Sequence, residues 1–145
     1  MTAQDTAEKF FGAMQAGNVD AVLALATPDA TVWLVPLDRR GPLAADGARY
    51  LGELAGAFPD LLVRVRRLFV AAGRTAVAEI TIEGTQAGDF LGVADQEKQF
   101  DLDQAWMLTI AEDDRISAVT GYWDQNQLYR RLGVKRLDKI NIAAG

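Results

Sequence analysis

The order of its periodic segments is the feature that most constrains how this chain can fold. Apolar residues at helical spacing predict a helix from Thr2 to Gly17, a shorter one from Asn18 to about Pro28, and a third over 47–57 with Asp46 as its cap. A short strand-like run, 31–35, precedes a turn-like stretch at 36–41. Alternating runs then predict strands at 62–71, 75–83, 100–110 and 116–123. Helices first and a meander of long strands later predict an α+β fold, with helices on one face of a mostly antiparallel sheet.

The size and charge of the chain narrow its class. Its 145 residues suit one domain spanning 1–145, and no repeat or linker divides it. A net charge of −5 without a long basic run argues against a nucleic-acid partner, since neutralising phosphates needs a cationic surface. No stretch approaches the ~18 apolar residues of a membrane span, and no basic region followed by an apolar run opens the chain. We therefore expect a cytoplasmic protein without membrane contact.

The chain contains neither histidine nor cysteine. Disulfides, thiol catalysis and iron–sulfur clusters are thereby excluded, and a zinc or copper site lacks its usual ligands. A magnesium or calcium site built from carboxylates alone stays open, although no calcium-loop spacing is visible. We predict no metal and no other cofactor, so that any proton chemistry falls to carboxylates and tyrosines.

Three local motifs, in their order along the chain, resemble the SnoaL-like polyketide cyclase family of the nuclear-transport-factor-2-like superfamily. They are the helix end Leu54-Ala-Gly-Ala-Phe58-Pro-Asp-Leu61, the turn Gly84-Thr-Gln86-Ala-Gly-Asp-Phe90, and the closing strand and helix from Tyr122-Trp-Asp124-Gln to Leu132-Gly133. The resemblance covers nearly the whole chain. It implies a cone-shaped roll of three N-terminal helices packed on a strongly curved sheet around an apolar pocket.

The resemblance also implies a function. The family includes cofactor-free cyclases that close rings by an intramolecular aldol reaction, as well as isomerases and epoxide hydrolases. We expect a cofactor-independent acid/base enzyme acting on an apolar carbonyl compound, by cyclisation or a related isomerisation or epoxide opening. One residue departs from the family pattern, because Gln86 stands where a histidine usually follows Gly-Thr, and glutamine only donates or accepts hydrogen bonds. The alternative is a non-catalytic small-molecule-binding or dimerisation module of the same fold.

Asp124 is the candidate general base, because it matches the family's aspartate on the last strand. By parity, Ile116, Ala118, Thr120 and Tyr122 share its face of that strand. We predict that this face lines the pocket and that Tyr122 donates a hydrogen bond to a developing enolate. The competing interpretations are that Asp124 caps the following helix, which would weaken it as a base, and that Tyr122 is a core aromatic.

The strand predicted over 100–110 contributes the other pocket residues. Its even positions form the apolar face, so Gln104 and Trp106 are predicted to point inward. A glutamine in an apolar stripe needs partners or water; alternatively, Gln104 is a surface residue near a strand end. The tryptophans serve equally well as core residues. The predicted pocket binds a small apolar ligand and is lined by Trp33, Phe58, Gln86, Gln104, Trp106, Thr120 and Tyr122.

The sheet face that the helices leave open predicts a homodimer. Apolar side chains on that face would be too numerous to leave in water. The residues expected there, or their neighbours, are Val63, Val65, Phe69, Val119 and Trp123.

Overall fold

The computed structural model describes residues 1–134, in which helices from the first part of the chain cover one face of a curved sheet. This arrangement confirms the predicted α+β class, while a single domain over 1–145 stays a prediction. No helix in this described range has the length and apolar character that crossing a membrane requires. It contains four α-helices and six strands: α1 (Ala3–Ala16), α2 (Val19–Ala24), β1 (Ala26–Leu34), β2 (Arg39–Pro42), α3 (Ala48–Ala57), β3 (Leu62–Ala71), β4 (Thr75–Thr85), β5 (Gln99–Ile110), β6 (Ile116–Trp123) and α4 (Gln125–Arg131).

The first two helices begin and end at the predicted capping residues. Thr2 and Asp5 form a reciprocal capping box at the start of α1, so two free backbone amides are satisfied. Gly17 ends α1 in the left-handed conformation with φ of 66°, which glycine adopts without a steric penalty. The side chain of Asn18 accepts a hydrogen bond from the amide of Ala21 and starts α2.

Two predicted element boundaries are wrong. The second helix ends at Ala24 rather than near Pro28, because β1, predicted only over 31–35, already begins at Ala26 and runs through the proline. The third helix has no side-chain cap from Asp46; instead a π-helical turn, Leu43–Gly47, leads directly into α3. In both cases pairing or packing with distant elements overrides a local stop or start signal.

The sheet has the strand order β2-β1-β6-β5-β4-β3. Neighbouring strands are antiparallel except β1 and β6, which pair in parallel and so join the two halves of the chain near the sheet centre. The turn predicted over 36–41 is wrong in its second half, because a 3₁₀ turn (Val35–Leu37) is followed there by β2, which pairs with β1.

Trp106 of β5 occupies the centre of the core on the concave face of the sheet. Its side chain is fully buried and lies 6.2 Å, between ring centroids, from Phe10 of α1. Gly121 of β6 lies directly beneath it, since a Cβ atom at position 121 would come within 2.8 Å of the indole ring. The absence of a side chain at 121 therefore lets the largest core residue lie against the sheet.

Candidate functional site

A chain of hydrogen bonds crosses the apolar interior of the cone. The indole Nε1 of Trp106 donates to the Oε1 atom of Gln104 at 3.0 Å. The Nε2 atom of Gln104 donates in turn to the hydroxyl of Tyr50 at 3.3 Å. All three side chains are buried, so Gln104 and Trp106 point inward as their strand parity predicts. We refer to Tyr50, Gln104 and Trp106 as the interior network; its part in a substrate pocket stays a prediction.

Tyr50 of α3 is the member of this network that sequence reasoning missed. Its helical spacing with Leu51 and Leu54 marks it only as a core residue. Burial raises the pKa of Tyr50 to about 12, although the hydrogen bond from Gln104 works in the opposite direction. The hydroxyl is therefore protonated at neutral pH, and its O–H group is available to donate a hydrogen bond.

Aromatic rings surround the hydroxyl end of the network. Tyr50 stacks on Trp123 of β6 with centroids 5.4 Å apart, and Phe90 lies 6.4 Å from Tyr50 on another side. Phe58, a predicted pocket residue, is buried at the end of α3 and contacts both Phe90 at 5.2 Å and Phe100 at 4.6 Å. The interior thus combines a mostly apolar wall with a few polar groups, which is typical of small-molecule sites.

The open space beside Trp106 is small. A cavity of about 10 Å³ adjoins its ring, enough for roughly one water, whereas drug-sized ligands occupy pockets of ~300–1,000 Å³. Of the residues predicted to line a pocket, Trp106 is a wall of this cavity, whereas the others are not: Trp33, Phe58, Gln86, Gln104, Thr120 and Tyr122. The lining residues are Phe10, Val32, Leu34, Leu43, Gly47, Tyr50, Leu51, Trp106 and Val119.

The face predicted for the last strand is wrong. Val119, Gly121 and Trp123 of β6 are buried, whereas Thr120 and Tyr122 lie on the convex face, with Tyr122 40% exposed. The reason is a register shift, since Thr109 of β5 pairs with Ala118 but Ile110 pairs with Ile116. This bulge inserts one extra residue and exchanges the two faces beyond it.

Asp124 caps α4, which was the competing interpretation of this residue. Its Oδ1 atom accepts hydrogen bonds from the amides of Asn126 at 2.9 Å and Gln127 at 3.2 Å. The carboxylate is exposed, and its expected neighbours Thr120 and Tyr122 point to the convex face. Its role as a general base stays a prediction.

Trp33 also lies on the convex face rather than in the pocket. The guanidinium carbon of Arg40 sits 3.5 Å from the centroid of its ring, and its Nε1 atom has no hydrogen-bond partner within the described chain. The preceding Arg39 is turned the other way and forms a nearly buried ion pair with Glu53 of α3, at 3.2 Å. The side chain of Arg39 is therefore largely removed from solvent, although it directly follows the 3₁₀ turn.

Gln86 is buried, and its amide organises the connection between β4 and β5. Its Nε2 atom donates to the carbonyl oxygen of Val93 at 3.1 Å, and its Oε1 atom accepts from the amide of Gln96 at 3.4 Å. Both ends of the amide are used within the connection. The side chain thus supports a loop in this structure, and its contact with a ligand stays a prediction.

The open convex face differs from the predicted dimer face in its residues. Val119 and Trp123 are buried in the monomer core, and Val63 and Val65 pair with the inward-facing residues of β4. The strand registers instead align one outward row across all six strands, from β3 to β2: Phe69, Val77, Met107, Thr120, Trp33 and Arg40. We refer to these six residues as the convex row.

A curved, mostly antiparallel sheet whose concave face is covered by helices α1 to α3, around an interior of aromatic side chains, is the fold of nuclear-transport-factor-2-like proteins. Residues 7–119 match the family model of the SnoaL-like domain. The chain belongs to the SnoaL-like family, which confirms the resemblance found in its motifs.

Solved structures share this fold at low sequence identity. A provisionally assigned SnoaL-like polyketide cyclase from Jannaschia sp. CCS1 is similar with a TM-score of 0.81 and 18% identity, covering 92% of this chain and 93% of that one. A provisionally assigned polyketide cyclase from Pseudomonas putida KT2440 gives 0.77 and 22%, covering 92% and 99%. SalBIII, an epoxide hydrolase/cyclase-like enzyme in pyran ring formation of the polyether salinomycin, gives 0.69 and 18%, covering 86% and 92%. No curated protein sequence matches the chain.

Proposed function

We propose that this protein is a cofactor-independent cyclase or isomerase that binds an apolar carbonyl compound inside its cone. Membership of the SnoaL-like family supports the reaction class. The site is supported by one observation: the Tyr50 hydroxyl accepts a hydrogen bond from Gln104 and donates to no residue in the described part of the chain. A buried O–H group without an acceptor is a position where a carbonyl oxygen would bind well.

The interior network supplies a mechanism for such a site. When a proton is removed next to a carbonyl, negative charge builds on the oxygen, and a fixed donor stabilises that charge more than it stabilises the ground state. Tyr50 is protonated because burial raises its pKa to about 12. Gln104 holds the Tyr50 oxygen and is itself held by Trp106, so the donor is oriented before the substrate binds. In this proposal Tyr50, rather than Tyr122, stabilises the enolate.

Asp124 is the proposed base. Both capping bonds fall on its Oδ1 atom, and Oδ2 makes no hydrogen bond within residues 1–134. One oxygen is thus free to accept a proton while the other continues to cap α4. In this arrangement the fold would use the cap to orient the carboxylate.

Replacing the donor tests the proposal. Tyr50→Phe keeps the ring but removes the hydroxyl, and we expect it to lower kcat/KM about 10²–10³-fold on a responsive substrate from a panel of apolar 1,3-diketones. Tyr129→Phe is the matched control, because Tyr129 is a buried tyrosine of α4 outside the interior network. A folded Tyr50→Phe variant with unchanged kcat/KM would remove Tyr50 from the mechanism.

A non-catalytic binding module is the second candidate function. Asp124 has an ordinary capping role, and the amide of Gln86 is used within its own loop, so neither requires a reaction. Tight binding of a panel compound without turnover, unaffected by Asp124→Asn, would favour this alternative. The absence of metals and cofactors, of nucleic-acid partners, and the cytoplasmic location remain predictions.

We also propose a homodimer through the convex row. Phe69, Met107 and the adjacent Tyr122 are 48%, 41% and 40% exposed, an unusual concentration of large apolar side chains on one surface. Ion pairs flank this surface, with Arg64 bonded to Glu83 at 2.8 Å. An apolar centre with a charged rim is the usual composition of a protein interface.

The dimer is tested by placing a charge in the centre of the row. Met107→Lys should raise the dimer dissociation constant at least about 10-fold, because a desolvated ammonium without a partner is costly. Ala16→Lys, at an exposed position near the end of α1, is the control. Light scattering at several micromolar concentrations measures the change, and a wild-type monomer throughout would end the proposal.

A further inference from the structure

We infer that residues 86–98 form a lid over the interior network and that Phe90 is the plug which a ligand displaces on entry. We call this segment the lid. The inference rests on the proposed function, because it assigns an entry route to the same interior site.

Phe90 reaches from a surface connection into the aromatic interior. It is only 1% exposed, although most of the lid around it is exposed. Its ring contacts Phe58 edge-on at 5.2 Å and lies 6.4 Å from Tyr50, whose hydroxyl is the proposed donor. The plug therefore stands beside the groups that would bind the substrate.

The lid lies outside the β4–β5 strand pairing, and most of its hydrogen bonds are internal. Pairing of β4 with β5 stops at Thr85 and Gln99. Within the lid, the amides and carbonyls of Phe90 and Val93 bond to one another at 2.9 and 2.8 Å, and Gln86 bonds to the same turn. A segment that carries its own bonds can move as a unit without losing them.

The lid makes few hydrogen bonds to the rest of the described chain. The amide of Ala87 donates to the carbonyl oxygen of Ala57, at the end of α3, at 2.7 Å. The side chain of Gln96 donates to the carbonyl oxygen of Leu132, after α4, at 3.1 Å. Opening has to break these two bonds and to expose the buried side chains of Phe90, Val93 and Gln86.

The backbone of the lid also stores strain. Leu91 and Glu97 have φ of 48° and 56°, in the left-handed region that residues with a Cβ atom adopt only at an energetic cost. Gly92, with φ of 84°, completes a tight turn behind the plug. Such strain lowers the free energy needed to rearrange the segment.

The size of the remaining space makes displacement necessary beside the network. The cavity next to Trp106 has about 10 Å³, so a ligand in contact with Tyr50 needs room that side chains now fill. Withdrawal of Phe90 frees the volume of a benzene ring next to Phe58 and Tyr50. A flat apolar group of the ligand would recover the contacts that Phe90 gives up.

Hydrogen exchange measures the opening directly and needs no ligand. We expect the Ala87 amide to exchange about 10²-fold faster than the Ile80 amide of β4 under native conditions, since the lid opens without global unfolding. The lid can be locked by a disulfide in an Ala57→Cys/Gly88→Cys variant. A Cβ atom built at position 88 would lie 3.8 Å from the Cα atom of Ala57, and the natural chain has no cysteine that could compete. The oxidised variant should slow Ala87 exchange toward that of Ile80, and the reduced variant should restore it. Equal hydrogen-exchange rates of the Ala87 and Ile80 amides in the wild type would contradict the opening of the lid.

A second experiment tests the plug. Phe90→Ala should leave an enclosed apolar cavity that binds benzene, so that benzene raises the melting temperature of this variant but not of the wild type. Phe69→Ala, which removes an exposed phenylalanine on the convex face, is the matched control. A folded Phe90→Ala variant that benzene leaves unchanged would contradict the plug; should it not fold, Phe90→Leu makes the same test with a smaller cavity. A mobile lid in a protein that turns over no carbonyl compound would retain this inference and reject the enzyme.

Discussion

Tryptophan side chains on the concave and convex faces of the sheet have opposite environments. On the concave face, Trp106 is fully buried, and its Nε1 atom donates to Gln104. On the convex face, Trp33 lies beneath the guanidinium group of Arg40, and its Nε1 atom has no partner in the described chain. The buried tryptophan belongs to a hydrogen-bonded core, whereas the outer one belongs to the surface at which we propose that a dimer forms.

This difference predicts that substitutions on the concave face affect stability and that substitutions on the convex face affect recognition. The concave face is packed and, apart from the free O–H group of Tyr50, its interior network is hydrogen-bonded, so changes there should act on folding first. The convex face is half-exposed, and changes there should act on assembly more than on the fold of one subunit. The predictions below test that separation, from the largest effect to the smallest.

Trp106→Ala should be the most damaging change. Removing a buried tryptophan typically lowers the free energy of unfolding by ~3–5 kcal/mol, and Gln104 would also lose its donor. Trp33→Ala is the matched change on the convex face, and we expect it to cost no more than about 2 kcal/mol because the side chain is only half-buried. Urea denaturation of both variants measures the difference, and equal losses would break the distinction between the faces.

Asp124→Asn tests the residue at the edge between the two faces. Asparagine caps helices as well as aspartate does, so folding should change little, whereas loss of the base should lower turnover by roughly 10²-fold or more. Asp124→Ala separates the roles, since it removes the cap as well and should cost about 1 kcal/mol of stability. Full activity in a folded Asp124→Asn variant would leave Asp124 as a cap only.

Gly121→Ala should destabilise the protein although it adds a single methyl group. The new Cβ atom would lie 2.8 Å from the Trp106 ring, and such overpacking typically costs ~1–3 kcal/mol. Gly52→Ala is the opposite case, because its position in α3 is exposed and nothing lies within 4 Å of the added atom. We expect it to stabilise by ~0.5–1 kcal/mol, since alanine favours the helix. Thermal unfolding should show shifts of opposite sign.

The smallest expected effect is on the pH dependence of folding stability. The backbone amide of Thr85 donates to Asp60 at 2.8 Å and lowers the pKa of that carboxyl. This stabilisation is present above the unfolded pKa of ~3.9 and is lost as the pH falls through the lower folded value. Asp60→Asn should therefore flatten the loss of stability between about pH 5 and 2. Asp29→Asn is the control, because Asp29 is exposed and accepts no hydrogen bond in residues 1–134; similar curves for both variants would exclude a contribution from Asp60.

Local signals in the sequence predict much of this fold. The caps at Thr2, Gly17 and Asn18, the strands over 62–71 and 116–123, and the inward parity of Gln104 all agree with the structure. The family followed from short motifs in the right order and is confirmed by the match over 7–119. Each of these signals depends on neighbours along the chain, within a turn of helix or a few residues of strand.

Only the tertiary structure decides which side chains meet. Tyr50 and Gln104 are 54 positions apart, and no periodicity links them. The bulge opposite Thr109 exchanges the faces of β6, which sends Tyr122 outward and Trp123 inward. The physical reason is that alternation along a strand defines two faces but does not say which is buried. That choice depends on the register with the neighbouring strand and on the helices packed against the sheet.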